Sequence, residues 1–166
     1  MALTQVQGGM ILASGQSIPK AALPTGSVLQ VVNAAYSTPT STSTNTFVDI
    51  GLSATITPTS ASSKILALMS INGIAKESND TYVVLRLVRG STSISVFNRG
   101  GGWTAGNGSS GVGASAGVYL DSPATTSATT YKVQLASGAN NAVVYANVGL
   151  GGSNGESTIT LMEIAG

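Results

Sequence analysis

Hydrophobic and polar side chains alternate along much of this chain, in short segments separated by Gly, Asn, Pro and Ser. A period of two is typical of β-strands, and no long stretch carries a convincing helical period of 3.6 residues. The pattern predicts about ten strands, at residues 28–36, 40–46 (a loop or an irregular edge), 47–52, 54–57, 64–74, 82–89, 93–98, 118–121, 129–136, 142–150 and 158–164. Such a series is typical of an all-β jelly-roll β-sandwich.

The degree of alternation differs between the predicted strands. Residues 131–135 and 157–163 separate apolar from polar side chains, which predicts one buried and one solvated face. Residues 64–74 and 82–88 are instead apolar on both faces. A two-layer sandwich buries one face of each sheet, and the sequence offers no helix to cover the other. These residues are either simply exposed or covered by another copy of the chain, and the scarcity of charges favours a homo-oligomer.

The first 26 residues differ from the rest. Gly and Pro interrupt any regular element, yet the segment carries sizeable apolar side chains at Leu3, Val6, Met10, Ile11, Leu12 and Ile18. A frayed terminus is one interpretation, but such a tail has little reason to be apolar. We therefore predict an N-terminal attachment arm, residues 1–26, followed by one β-sandwich domain, residues 27–166.

Residues 99–117 form a Gly-rich stretch that contains the only Trp of the chain, Trp103. Structureless loops of this length are uncommon in compact domains and are usually functional or disordered. An aromatic side chain on an adaptable loop is a common way to contact sugars or protein surfaces. The candidates for receptor contact are Arg99, Trp103 and Asn107. The alternative is that Trp103 folds back and closes the end of the sandwich.

The composition limits the chemistry that this chain could perform. It has no Cys and no His, which removes thiolate chemistry and the commonest general base and metal ligand. Only 8% of residues are charged and the net charge is +1, with the basic residues scattered, so nothing resembles a nucleic-acid-binding surface. Neither a signal peptide nor a membrane span is expected. We expect no enzyme activity, no cofactor and no metal.

Several separated segments resemble virion structural proteins of tailed phages. They are residues 26–32 (GSVLQVV), 49–58 (DIGLSATITP), 85–90 (LRLVRG), 119–123 (YLDSP) and 158–164 (TITLMEI). The resemblance covers residues 26–166 and is to the C-terminal β-modules of fibre proteins from phages of marine bacteria and cyanobacteria. It implies a trimeric jelly roll similar to tumour-necrosis-factor-like heads, located on a virion that is assembled in the host cytoplasm.

A trimer of this kind implies an interface between copies and partners on the particle. The candidates for the trimer interface are Leu66, Leu68, Tyr82, Val84, Tyr119, Tyr145 and Met162. The leading hypothesis is a short trimeric fibre or tip, held on a tail or capsid protein by the arm. The alternatives are a capsid decoration or cement protein and a carbohydrate-binding adhesin module that contacts a host surface glycan.

Overall fold

The alternating segments form strands that pair into two antiparallel sheets. The computed structural model describes Pro19 and residues 22–78, 80–103, 110–149 and 154–166. Within these residues lie the strands β1 (Val28–Tyr36), β2 (Thr40–Thr42), β3 (Val48–Ile56), β4 (Lys64–Lys76), β5 (Val83–Arg89), β6 (Thr92–Gly101), β7 (Ser110–Asp121), β8 (Thr129–Ser137), β9 (Val144–Ala146) and β10 (Ser157–Ile164). The predicted all-β sandwich of about ten strands is therefore confirmed.

The two sheets differ in size. Sheet A has the order β1-β10-β4-β9-β2, with β7 on the other edge of β4, and sheet B has the order β3-β8-β5-β6. The length of β4 explains the larger sheet, because one of its edges pairs with β10 and then with β9. Its other edge pairs with β7. Strands β1 and β3 consequently lie on one side of the sandwich, and β6 and β7 lie on the other.

The core lies between the inner faces of the sheets, where alternate residues are buried. In β8 the inward residues Tyr131, Val133 and Leu135 are fully buried, and Ile159 and Leu161 of β10 face them from sheet A. Each fully buried aliphatic side chain stabilises the fold by roughly 1.5–3 kcal/mol relative to an exposed one. The alternation predicted for residues 131–135 and 157–163 is confirmed.

The Gly-rich stretch is the largest departure from the prediction. Residues 99–117 were expected to form a loop, but β6 extends to Gly101 and β7 begins at Ser110. A small residue is needed at position 117 of β7, because the side chains of Phe97 and Met69 pack over it. A Cβ added to Gly117 would lie 2.7 Å from the Phe97 ring and 2.8 Å from the Met69 methyl group. Backbone pairing with β4 holds residues 110–117 in a strand, whereas in the other strands the packing of apolar side chains also contributes.

Two smaller differences have local causes. Residues 47–52 and 54–57 form one strand, β3. The chain continues through Gly51, whose φ is +87°, because the pairing of β3 with β8 is irregular between Asp49 and Ser53. Strand β9 is shorter than the predicted 142–150. Asn147 has a φ of 63°, and its backbone N–H donates to the Asn72 carbonyl, so the chain leaves the strand there.

The strand directions give the sandwich two distinct ends. The N-terminal end contains the start of β1 and the links at residues 57–63, 90–91 and 122–128. The distal end contains the links at residues 43–47, 77–82 and 138–143. The backbone N–H of Gly26 donates to the Ala165 carbonyl at 2.8 Å, so the described chain enters at the N-terminal end.

Candidate interaction surfaces

The outer face of sheet A carries apolar side chains that are aligned across four strands. The register places Val31 opposite Met162, Met162 opposite Leu66, and Leu66 opposite Leu120. The next rungs on this face are Asn33, Thr160, Leu68 and Val118, and then Ala35, Thr158, Ser70 and Ala116. Residues that face each other across paired strands share a side of the sheet, so these rungs form one surface. We call it the apolar face of sheet A.

The apolar face of sheet A is exposed and uncharged. Val31 is 55% exposed, Leu120 51% and Val118 67%. None of the residues in the three rungs is charged. Monomeric proteins rarely expose contiguous apolar patches beyond a few hundred Å², and larger patches mark interaction sites. This surface is therefore the strongest candidate for contact with another macromolecule among the described residues.

The outer face of sheet B is covered by long polar side chains instead. Lys132 Nζ lies 2.8 Å from Asp49 Oδ2, and Gln134 Nε2 donates to Asp49 Oδ1 at 2.6 Å. Arg86 Nε donates to Gln134, and the Arg86 guanidinium lies 3.8 Å from the centroid of the Phe47 ring. Burial alone would raise the pKa of Asp49, but the hydrogen bonds from Lys132 and Gln134 outweigh it and lower the pKa.

The same side chains explain how β5 buries both of its faces within one chain. Val84 and Val88 lie on the outer side of this strand and are nevertheless buried. Val84 lies between Tyr82 and Arg86 along the strand, and Val88 lies opposite Lys132. The aliphatic parts of long side chains cover apolar surface effectively. The expectation that β5 needs another copy to cover its second face is therefore wrong.

The residues predicted for a trimer interface do not lie on one surface. Leu66, Leu68 and Met162 belong to the apolar face of sheet A. Tyr82 and Val84 lie on the outer side of sheet B, where Val84 is buried. Tyr119 packs against the core because its parity in β7 points it inward, and the Tyr145 hydroxyl donates to Glu77 at the distal end. The sequence alone could not separate these positions, since it does not reveal strand pairing.

Two of the predicted receptor-contact residues lie at the distal end. Arg99 is exposed near the end of β6, opposite Val84. Trp103 follows that strand, and its side chain is 56% exposed. The alternative in which Trp103 folds back to close the sandwich is therefore wrong. Asn107 lies outside the described residues.

The predicted attachment residues Leu3, Val6, Met10, Ile11, Leu12 and Ile18 lie outside the described residues. The sandwich itself presents a cavity of about 450 Å³ at the N-terminal end, beside Leu23 and the residue 57–63 link. Glu163 lies under this link and is fully buried. It accepts hydrogen bonds from Gln30 Nε2 at 2.6 Å, from the Thr59 backbone N–H at 2.6 Å and from the Thr59 hydroxyl at 2.7 Å.

Among the described residues, hydrogen bonds rather than an ion pair keep Glu163 ionised. Burial alone would raise its pKa, but the hydrogen bonds from Gln30 and Thr59 outweigh that effect and hold the pKa below the ordinary value. The residue joins β10 to β1 and to the 57–63 link. The sequence carried a signal for its burial, since Glu163 is in phase with the buried Ile159 and Leu161.

The other buried charges also serve the fold. Arg89 Nη1 lies 2.8 Å from Asp121 Oδ2, and the Tyr131 hydroxyl donates to the same oxygen at 2.6 Å. Burial, and then this bond to Asp121, raise the pKa of Tyr131. Lys76 is buried and donates to the Thr81 carbonyl.

In the described ranges, no group of three or more acidic side chains could hold a metal ion. No helix in these ranges is long and apolar enough to cross a bilayer.

Sequence reasoning missed the neighbours of Arg99. The fold places Asn45, Phe47 and Tyr82 around the end of β6, although they come from two other links of the chain. Nothing in the local pattern signals this grouping, because it depends on the pairing of β5 with both β6 and β8.

No protein-family profile matches this chain, and no curated protein matches it at a significant level.

Proposed function

We propose that this chain is a non-enzymatic structural protein of a tailed-phage virion, a short trimeric fibre or tip. Residues 1–26 attach it to a tail or capsid protein, and the distal end points away from the particle. The proposal combines the resemblance of residues 26–166 to fibre modules with the surfaces of the sandwich.

The apolar face of sheet A is the observation that carries the proposal. Four strands about 4.8 Å apart and three rungs about 6.8 Å apart give a surface of roughly 400 Å² with apolar side chains at eight of its twelve positions, a size at which the largest patch of a monomer is often functional. A surface without charge gains from burial and loses no ion hydration. Copies related by a rotation axis bury such a surface when the face of each copy packs on a different surface of the next copy. These heterologous contacts then close into a ring.

The order of the strands is consistent with a jelly roll. The series β1-β10-β4-β7 faces the series β3-β8-β5-β6, and eight antiparallel strands in two sheets are the jelly-roll arrangement. The described chain enters at the end opposite the links at 43–47, 77–82 and 138–143. This polarity suits a protein that is held at one end and presented at the other.

Light scattering on the purified full chain tests the trimer. We expect the mass of three copies for the natural sequence and a single copy for Leu120→Lys, because that substitution puts a charge into the apolar face of sheet A. Val96→Lys is the matched control, since Val96 is 48% exposed on sheet B. A monomeric natural protein at micromolar concentration, or a Leu120→Lys variant that stays trimeric, would contradict the proposal.

Attachment to the particle needs a separate experiment. Deletion of residues 2–25 should leave the trimer intact and abolish its incorporation into virions, measured by immunoblotting of purified particles. A truncated trimer that still joins the particle would remove the arm from the proposal.

One observation favours the adhesin as a second candidate function. Trp103 is more than half exposed at the distal end, where an outward-facing protein would meet its receptor. On this hypothesis Trp103→Ala abolishes adsorption to host cells while the trimer persists. Unchanged adsorption would argue against a receptor contact through this residue.

A further inference from the structure

A shallow depression opens on the outer side of sheet B at the distal end. Its floor is formed by Val84 and Ala136, which lie opposite each other on β5 and β8 and are both buried. Arg99 borders it on β6, and Asn45, Phe47 and Tyr82 border it on the remaining sides. The cavity measures about 100 Å³, which is enough for part of a ligand that otherwise lies on the surface.

The aromatic borders of the depression are held in place by the fold. The Tyr82 ring lies against Gly138, where an added Cβ would sit 2.1 Å from the ring. The Gly138 backbone N–H also donates to the Tyr82 carbonyl at 2.8 Å. On the other side, the Arg86 guanidinium stacks on the Phe47 ring at 3.8 Å. Side chains that are fixed before binding lose little conformational entropy when a ligand arrives.

The charge at the depression is unbalanced. Arg99 is exposed, and its side chain makes no hydrogen bond or ion pair in the described part of the chain. Among the described lining residues, none is acidic. A guanidinium presents a fork of donors that matches a carboxylate, and the Asn45 amide adds a neutral donor beside it. The depression therefore complements an anion that carries an apolar or ring-shaped body.

We propose that this depression binds an acidic saccharide, with a sugar carboxylate on Arg99 and the C–H face of the ring against Phe47 or Tyr82. The aromatic borders distinguish a sugar from a bare anion, since the electron-rich faces of such rings accept C–H groups. The inference rests on the proposed function in one respect, that the distal end faces outward. Three such sites on one trimer would turn a weak single contact into firm attachment to a polysaccharide.

Titrations followed by NMR test the site on the full-length protein. The probes are trigalacturonate and sialyllactose, each compared with its uncharged counterpart, the methyl ester of the same saccharide. We expect at least one acidic probe to bind saturably and to shift the Val84 and Ala136 methyl signals. Its uncharged counterpart should bind at least about tenfold more weakly, because a charge-assisted hydrogen bond is lost.

Arg99→Gln should weaken binding of the acidic probe by about tenfold or more. Lys64→Gln is the matched control, because it removes one exposed positive charge at the N-terminal end and should change nothing. Absence of saturable binding by both acidic probes, an Arg99→Gln variant that binds as well as the natural protein, or equal binding of triglutamate would each overturn the proposal. Light scattering on the same samples separates the two claims, since a trimer that binds no saccharide refutes this site alone.

Discussion

The outer faces of the two sheets differ in how their apolar residues are covered. Both sheets contain strands with apolar residues on their outer sides. On sheet B, Arg86, Lys132 and Gln134 cover those residues and bond to one another and to Asp49. On sheet A the corresponding rungs hold only apolar and small uncharged side chains. A chain with 8% charged residues has placed several of them where they shield the outer side of sheet B and none within the three rungs of the apolar face of sheet A.

This contrast indicates which surface is complete in a single chain. Apart from the exposed Val96 and the depression beside Arg99, the outer side of sheet B is already covered, so a partner chain there gains little from burying it. The apolar face of sheet A leaves three aliphatic side chains at least half exposed. Its burial would contribute about 25 cal/mol for each Å² of apolar surface removed from water. The interface of an assembly is therefore expected on sheet A.

The largest effect should come from a charge inside the sandwich. Asp121→Asn removes the negative charge that Arg89 and Tyr131 share across the two sheets and replaces one accepting oxygen with an NH2 donor. We expect a loss of about 3 kcal/mol, since breaking a largely buried pair leaves its partner uncompensated. Asp49→Asn, on the outer side of sheet B, should cost less than about 1 kcal/mol. Urea unfolding at one protein concentration measures both, and equal losses would contradict the distinction between interior and covering charges.

Glu163→Gln should give a smaller effect that depends on pH. The neutral side chain loses a charge-assisted acceptor for Thr59, and we expect the free energy of unfolding at pH 7 to fall by about 1.5 kcal/mol. The folded pKa of Glu163 lies below its ordinary value of 4.5. The stability that the carboxylate adds is therefore present above pH 4.5 and is lost as the pH falls through the folded pKa.

Unfolding curves of the Glu163→Gln variant and the natural protein should thus converge in acid. Glu156→Gln is the control, because the Glu156 side chain is exposed. A difference that stays constant from neutral pH into acid would show that the Glu163 charge is not what stabilises the N-terminal end.

The sequence predicted elements best where local pattern and tertiary burial agree. Strand β1 has the predicted bounds, 28–36, and its inward residues alternate regularly from Gln30 onward, after an irregularity between Val28 and Gln30. Strand β7 was missed over residues 110–117, since Gly, Ala and Ser carry little pattern and the order there comes from β4. The grouping of Arg99 with Phe47 and Tyr82 could not be predicted either, because it follows from strand register rather than from any local signal.

The smallest expected effect concerns salt, and it tests the contrast between the faces directly. The Asp49–Lys132 pair is exposed on sheet B, with relative side-chain exposures of 51% and 29%. A double-mutant cycle with Asp49→Asn and Lys132→Gln should give a coupling of about 0.5 kcal/mol in dilute buffer. That coupling should disappear near 1 M NaCl, where the Debye length is about 3 Å.

Assembly through the apolar face of sheet A, by contrast, should be insensitive to salt. Because no charge lies within its three rungs, screening removes nothing from the interface, and the same salt should leave the dissociation constant within about twofold of its value in dilute buffer. Sedimentation at the two salt concentrations measures it. A trimer that dissociates in salt would mean that ion pairs hold the copies together, and the interface would then have to lie on a charged surface such as the outer side of sheet B.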